Sequence, residues 1–399
     1  MWRSIFIVFI CLTVIISGCT NESSTERGSE ESQTVTTEES TMKETQEKQN
    51  QGKNIETIEQ DIHTKLDNAM NRIEEYYHFS GTVYVGKAGE EIYSKAFGMA
   101  DYENQIPNSL DTKFIMASLT KQFTAVAILM LEESGLLNVD DPITTYFPEA
   151  SQFEDITIHQ LLSMQSGIVN TDDPYLFEKF GSSTTFPASE EIISAFNEIP
   201  LHFNSGERYE YSNSNYILLG LIIEKVSGMT YEEFLEKNIF QPLGMNNSGY
   251  SIDWNLQQNK ALGYEVIKEN EIIPSQYEQY FLVSAAGGLY TSASDLAIWD
   301  RALYTDLLLK KETIEKSYVA YVEMPYIQRY GYGYGWMVNE NQLKHSGLMP
   351  GYTSIIYRDL DSETVIILFS NNELFKDSLE MGLSALKDVL RSNELINSN

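Results

Sequence analysis

Apolar residues recur at helical spacing at Ile58, Ile62, Leu66, Ala69 and Ile73, which predicts a helix from Ile58 to Tyr77. A β-rich run follows, Gly81-Thr-Val-Tyr-Val-Gly86. Lys87-Ala-Gly89 supplies a turn, and Ile92 to Phe97 returns as a second strand. The carboxyl end mirrors this layout. Thr353 to Tyr357 and Thr364 to Phe369 are β-rich, Arg358 to Glu363 is the polar turn between them, and a terminal helix is expected near Leu374 to Leu390. Helical patterns fill the middle, over Lys121–Glu133, Ile156–Met164, Tyr216–Val226, Tyr231–Ile239 and Ala293–Leu303. Strands at both ends favour an α+β fold whose antiparallel sheet is built from both chain ends. The helices flank that sheet and form an all-helical lobe, and the cleft between is a natural binding site.

The amino end is different. Met1-Trp2-Arg3 precedes an apolar run from Ser4 to Ile16. That run is shorter than the about 20 residues a bilayer span needs, and small residues close it as in a secretory signal. Ile16-Ser17-Gly18-Cys19 resembles the bacterial lipoprotein cleavage box, with Ile16 where Leu is usual. The resemblance implies that residues 1–18 are removed and that Cys19 carries lipid. The protein is then anchored at the extracytoplasmic face of the bacterial cell membrane. Residues 19–57 read as a flexible acidic tether. From Thr20 to Asn54 there is almost no apolar residue to offset the entropy of ordering. Such a tether reaches about 30–35 Å. Residues 58–395 form one catalytic domain without internal repeats.

Composition narrows the chemistry. Hydrophobic residues make up 42% of the 399, enough for a core. The formal charge of −31 argues against a nucleic-acid partner, which needs a basic footprint. Cys11 and Cys19 are the only cysteines, too few for a disulfide framework or a cysteine zinc site. The reading calls for no metal and no cofactor, and the oligomeric state is left open.

In Phe114-Ile-Met-Ala-Ser118-Leu-Thr-Lys121, an apolar helix starts at or just after Ser118. Residues three apart share a helix face, so Lys121 can serve Ser118. A helix start also offers free N–H groups for a developing oxyanion. A neutral amine there requires its pKa to fall roughly 3 units, on the order of 4 kcal/mol, which burial can supply. Ser-x-x-Lys also occurs at Ser40–Lys43 in the tether and at Ser384–Lys387 in the terminal helix, so the motif alone is weak. Two further elements accompany it. Tyr211-Ser-Asn213 feeds an apolar helix that Gly228 should stop, with Asn213 otherwise a candidate N-cap. His345-Ser-Gly347 precedes the late strands, with Gly347 permitting close backbone approach.

The order Ser-x-x-Lys, Tyr-x-Asn, His-x-Gly resembles the serine β-lactamase and penicillin-binding-protein superfamily. It is most similar to the branch of class C β-lactamases, D-Ala-D-Ala carboxypeptidases and esterases. The likeness runs from about Gly81 to Asn371 and includes Ala285-Ala-Gly-Gly and Gly333-Tyr-Gly-Trp336. It implies a β-lactamase/transpeptidase-like fold. Ser118 would be the acylated nucleophile, Lys121 its base or proton shuttle, and Tyr211 a second base. Asn213 and His345 would hold substrate, and the N–H groups of Ser118 and Leu348, beside Gly347, would form the oxyanion hole. The implied activity is a serine acyl-enzyme hydrolase acting on D-Ala-containing wall peptides, related amides and esters, or β-lactams. A penicillin-binding protein with slow deacylation, and a β-lactamase, are the alternatives. His345 replaces the family's Lys. If it acts as a cation, affinity for a substrate carboxylate should fall as pH rises through about 6.5. Met164 stands where relatives carry His, and Asn204-Ser-Gly206 replaces Pro-Gly. Neither is expected to touch the chemistry.

Overall fold

The structure is a computed structural model that describes residues 59–180, 187–268, 271–275, 284–372 and 376–397. The expected signal segment, Cys11, Cys19, the expected tether with its Ser40–Lys43 motif, Ile58 and Leu374 lie outside the described residues.

Helix α1 covers residues 59–77 and leads into the hairpin β1 (Gly81–Lys87) and β2 (Glu90–Phe97). Late in the chain come β3 (Val322–Glu323), β4 (Gly331–Tyr332), β5 (Met337–Asn339), β6 (Gln342–Met349), β7 (Tyr352–Asp359) and β8 (Thr364–Ser370). These strands form one sheet in the order β3-β4-β5-β6-β7-β8-β1-β2. The two ends of the chain meet where β1 runs antiparallel to β8, from Gly81 opposite Ser370 to Lys87 opposite Thr364. The expected sheet built from both termini is present.

Both faces of its centre are covered, which explains why β7 and β8 read as continuous apolar runs rather than alternating ones. Side chains still alternate across the pleat. Ile366 and Leu368 join one core with Leu66 and Met70 of α1, and with Leu379 and Leu383 of the terminal helix α5 (Lys376–Ser392). Val365, Ile367 and Phe369 enter the other core, with Leu296 and Trp299 of helix α4 (Ala293–Ala302). Each such buried side chain contributes about 1.5–3 kcal/mol. The Ser384–Lys387 motif sits within α5, where the Lys387 ammonium lies 3.9 Å from the centre of the Tyr357 ring.

Helix α2 (Thr120–Glu133) is buried along nearly its whole circumference, so it forms the axis of the helical lobe. Helix α3 (Asn213–Ser227) crosses it and stops at Gly228, which is left-handed at φ 69°. This helix begins three residues before its expected start, because Ser212 is extended and Asn213 is already helical. The helix expected over Ile156–Met164 contracts to Ile158–Leu162, where Thr157 and Gln160 form a capping box. The largest departure concerns His345. It lies inside the eight-residue strand β6 rather than ahead of the strands. Lys344, Ser346 and Gly347 hide that strand from a reading based on β-forming side chains.

Candidate active site

Ser118 occupies a 3-10 turn, Ala117–Leu119, that runs directly into α2. Ala117 is left-handed at φ 48°, a conformation that costs a non-glycine residue on the order of 1 kcal/mol. Packing holds it there. Strand β6 lies so close that a Cβ on Gly347 would sit 2.3 Å from the Met116 carbonyl oxygen and 3.0 Å from the Ala117 Cβ. The Ser354 hydroxyl donates to the same Met116 carbonyl at 2.8 Å, and the Met116 N–H donates to Leu289 O at 3.0 Å. The large sheet and the short strand Leu289–Thr291 thus hold the turn that carries Ser118.

Lys121 is fully buried and its amine faces three partners. It lies 2.8 Å from Asn213 Oδ1, 2.7 Å from the Ala286 carbonyl oxygen and 3.1 Å from Ser118 Oγ. The first two can only accept. They fix two N–H bonds and leave the third tetrahedral position of Nζ pointing at Ser118. That position holds a proton when the amine is charged and a lone pair when it is neutral. Burial holds the Lys121 pKa well below that of an ordinary lysine. Among the described residues no carboxylate bonds to Nζ, and the rings of Tyr211 and Tyr216 lie beside it, with centres 4.9 and 5.6 Å away.

Tyr211 also reaches the nucleophile, its hydroxyl donating to Ser118 Oγ at 2.8 Å. Burial raises its pKa above the usual phenol value, so the resting group is a phenol. The loop that presents it rests on Met164, which is buried and left-handed at φ 61°. The Met164 sulfur accepts from Ser212 N–H at 3.4 Å and from Asn215 Nδ2 at 3.3 Å. Met164 therefore supports the loop that carries Tyr211 and Asn213. Asn213 is not an N-cap either. Its N–H donates to Asn170 Oδ1 at 2.7 Å, and its side-chain oxygen serves Lys121.

His345 is 1% exposed, and burial together with the nearby Lys121 pushes its pKa down to about 3. The expected titration near pH 6.5 is thereby corrected: the ring is neutral across the neutral range. Its Nδ1 lies 2.8 Å from Ser346 O, which can only accept, so Nδ1 carries the proton. Nε2 is then the acceptor for the Tyr332 hydroxyl at 3.1 Å.

Ser118, Tyr211, Asn213, His345 and Leu348 line one cavity of about 890 Å³. Lys121 lies beneath its floor, and Gly347 touches the Ser118 turn rather than the cavity. Sequence reasoning missed Ala286 as a partner of Lys121, and a backbone carbonyl leaves no side-chain signal. It missed Tyr332, Asn170 and Asp300 as well. Arg358 and Asp300 form a fully enclosed ion pair at 2.6 Å, away from the cavity lining. Among the described residues no three His, Cys, Asp or Glu side chains gather to hold a metal ion.

Comparison with known proteins points the same way. The family described as Beta-lactamase matches residues 66–388. Penicillin-binding protein 4* of Bacillus subtilis (strain 168) is 29% identical over 360 residues, covering 86% of this chain and 77% of that protein. A penicillin-binding protein homologue from Pyrococcus abyssi superposes with a TM-score of 0.72 at 30% identity, covering 82% of this chain and 77% of the other. The D-amino acid amidase of Ochrobactrum anthropi SV3 shares the fold, with a TM-score of 0.68 at 22% identity, over 83% of this chain and 99% of its own.

Proposed function

The chain belongs to the beta-lactamase family of serine hydrolases, and from that premise we propose that it is a lipid-anchored extracytoplasmic hydrolase that cleaves D-Ala-containing wall peptides or related amides and esters through an acyl-Ser118 intermediate. The observation that carries this reading is the convergence of Lys121 Nζ and Tyr211 Oη on one oxygen, Ser118 Oγ, at the edge of the cavity. The anchor rests on Ile16-Ser17-Gly18-Cys19.

In this reading neutral Lys121 takes the Ser118 proton as Oγ attacks the substrate carbonyl. The N–H groups of Ser118 and Leu348 receive the developing oxyanion, an interaction typically worth 10²–10³ in rate per donor. Tyr211 gives its proton to the leaving oxygen or nitrogen. The resulting phenolate lies beside the Lys121 ammonium, which offsets its charge. Water then yields a proton to that phenolate and attacks the acyl group. Ser118 departs and recovers its proton from Lys121, which closes the cycle. With its oxygen bonded to Lys121, Asn213 presents its Nδ2 as the donor for a substrate carbonyl.

Similarity to penicillin-binding protein 4* of Bacillus subtilis (strain 168) favours a second reading, in which deacylation is slow and the protein holds β-lactams as a lasting adduct. Incubating the purified chain with a penicillin, while following intact mass and drug consumption, separates the cases. A lasting adduct marks a penicillin-binding protein, consumption without adduct a β-lactamase. Hydrolysis of D-alanyl amides or esters that vanishes in Ser118→Ala supports the primary reading. Hydrolysis unchanged in Ser118→Ala refutes it.

A further inference from the structure

Resting on the hydrolase reading above, we propose that the cleft selects leaving groups without a carboxylate, and that Glu323 on its outer wall enforces that choice. The charges lining the cavity are Arg208, Glu210 and Glu323, a net negative set. Arg208 is drawn partly aside. Its guanidinium lies 4.0 Å from the centre of the Phe203 ring and 3.5 Å from Glu210 Oε2. Glu210 in turn bonds His202. Glu323 has no ion pair among the described residues, so its carboxylate is the uncompensated charge of the wall. Of the β6 residues on the lining, Ser346 and Leu348 carry no charge, and the two ring nitrogens of His345 are taken by Ser346 O and Tyr332. Lys121 is bonded behind the nucleophile. The lining thus offers one cation, partly offset by Glu210, against two carboxylates, and an incoming carboxylate meets a net negative wall.

Glu323 is also held in place. It sits on β3, paired through Gly331 and Tyr332 of β4, and Tyr332 is the residue bonded to His345. Beside it, Met324, Pro325, Met337 and Leu348 make the surrounding wall apolar. Such a wall suits an uncharged leaving group: an alcohol or amide nitrogen without an acid function.

The test uses two esters of N-acetyl-D-alanine that differ in one group. One releases glycolic acid, the other its neutral amide, glycolamide. The full chain should cleave the neutral ester with a kcat/KM about fivefold to tenfold higher, the size of one charge contact through water. Raising the salt should shrink that ratio, because exposed charges are screened over about 8–10 Å. Glu323→Gln should bring the ratio towards one, with cleavage of the neutral ester unchanged. Equal cleavage of both esters by the wild type overturns the proposal while the hydrolase reading stands. So does preference for the acid ester, above all if Arg208→Gln abolishes it. A ratio that Glu323→Gln leaves unchanged overturns the role of Glu323. Cleavage of neither ester removes the underlying reading and the selectivity with it.

Discussion

Gly347→Ala is the sharpest perturbation of the contact between the sheet and the nucleophile turn. The added methyl would lie 2.3 Å from Met116 O, 2.4 Å from Ser354 Oγ and 3.0 Å from the Ala117 Cβ. The serine hydroxyl can rotate away, but the Met116 carbonyl is backbone on the segment that carries Ser118. Relief therefore requires β6 and the turn to separate by roughly 1 Å, the shortfall from an ordinary van der Waals contact. Overpacking of this kind costs about 1–3 kcal/mol. Displacing a nucleophile by 1 Å costs about 10² in rate. The assay pairs a thermal melt with kcat/KM on an ester substrate, and Gly382→Ala serves as control. In the control the nearest atom to the new methyl is 3.7 Å away within α5, so stability should hold or rise by up to about 1 kcal/mol. The reasoning predicts that Gly347→Ala melts several degrees lower and loses most of its activity. Wild-type melting and wild-type kcat/KM would refute the claim that close approach of β6 positions Ser118.

Three further outcomes follow from the buried polar groups. His345 has a folded pKa of about 3 against an ordinary value of 6.5, so between these values the unfolded chain binds the extra proton. Its contribution to stability rises with pH across that window and falls on acidification, by on the order of 5 kcal/mol in total and about 3 kcal/mol between pH 7 and 4. Wild type compared with His345→Gln in denaturant melts at pH 4 and 7 should show this difference, and substrate affinity should be flat from pH 5.5 to 8. Tyr332→Phe removes the donor to His345 Nε2 and should cost about 1–3 kcal/mol. Nitrogen-15 spectra of the variant should still show the proton on Nδ1, since Ser346 O fixes it; a proton on Nε2 would contradict the assignment. Arg358→Met leaves Asp300 buried without its partner and should cost about 3–5 kcal/mol in a chemical melt, whereas an unchanged midpoint would show that the pair is inert.

The sheet was legible because its joining strands are apolar on both faces, and β1 and β8 announce themselves at opposite ends of the chain. The nucleophile turn was legible for a related reason: Ser118 stands where an apolar helix begins, while its two decoys stand in a polar tether and within a surface helix. Strand β6 was not legible, since Lys344, His345, Ser346 and Gly347 carry none of the usual β signal. Its function demands those residues: small at Gly347 for the close approach, polar at His345 for the bond to Tyr332. The charge state of His345 could not be read from its motif. It depends on burial and on Lys121, which stands 224 positions earlier in the chain. Met164 and Ala286 were hidden similarly, because their roles lie in a sulfur lone pair and a main-chain oxygen placed by tertiary packing.

The central claim is that Ser118, served by a neutral Lys121, forms the acyl-enzyme. Mass spectrometry of the purified chain mixed with a slowly turned-over acyl donor, across a pH series, tests it most directly. The account predicts a single adduct on the peptide containing Ser118. Its formation rate should rise with pH as Lys121 loses its proton, at a pH well below 10.5. The adduct should be absent in Ser118→Ala and suppressed by about 10³ or more in Lys121→Met. An adduct on another residue, or acylation of wild-type rate in Lys121→Met, would contradict it.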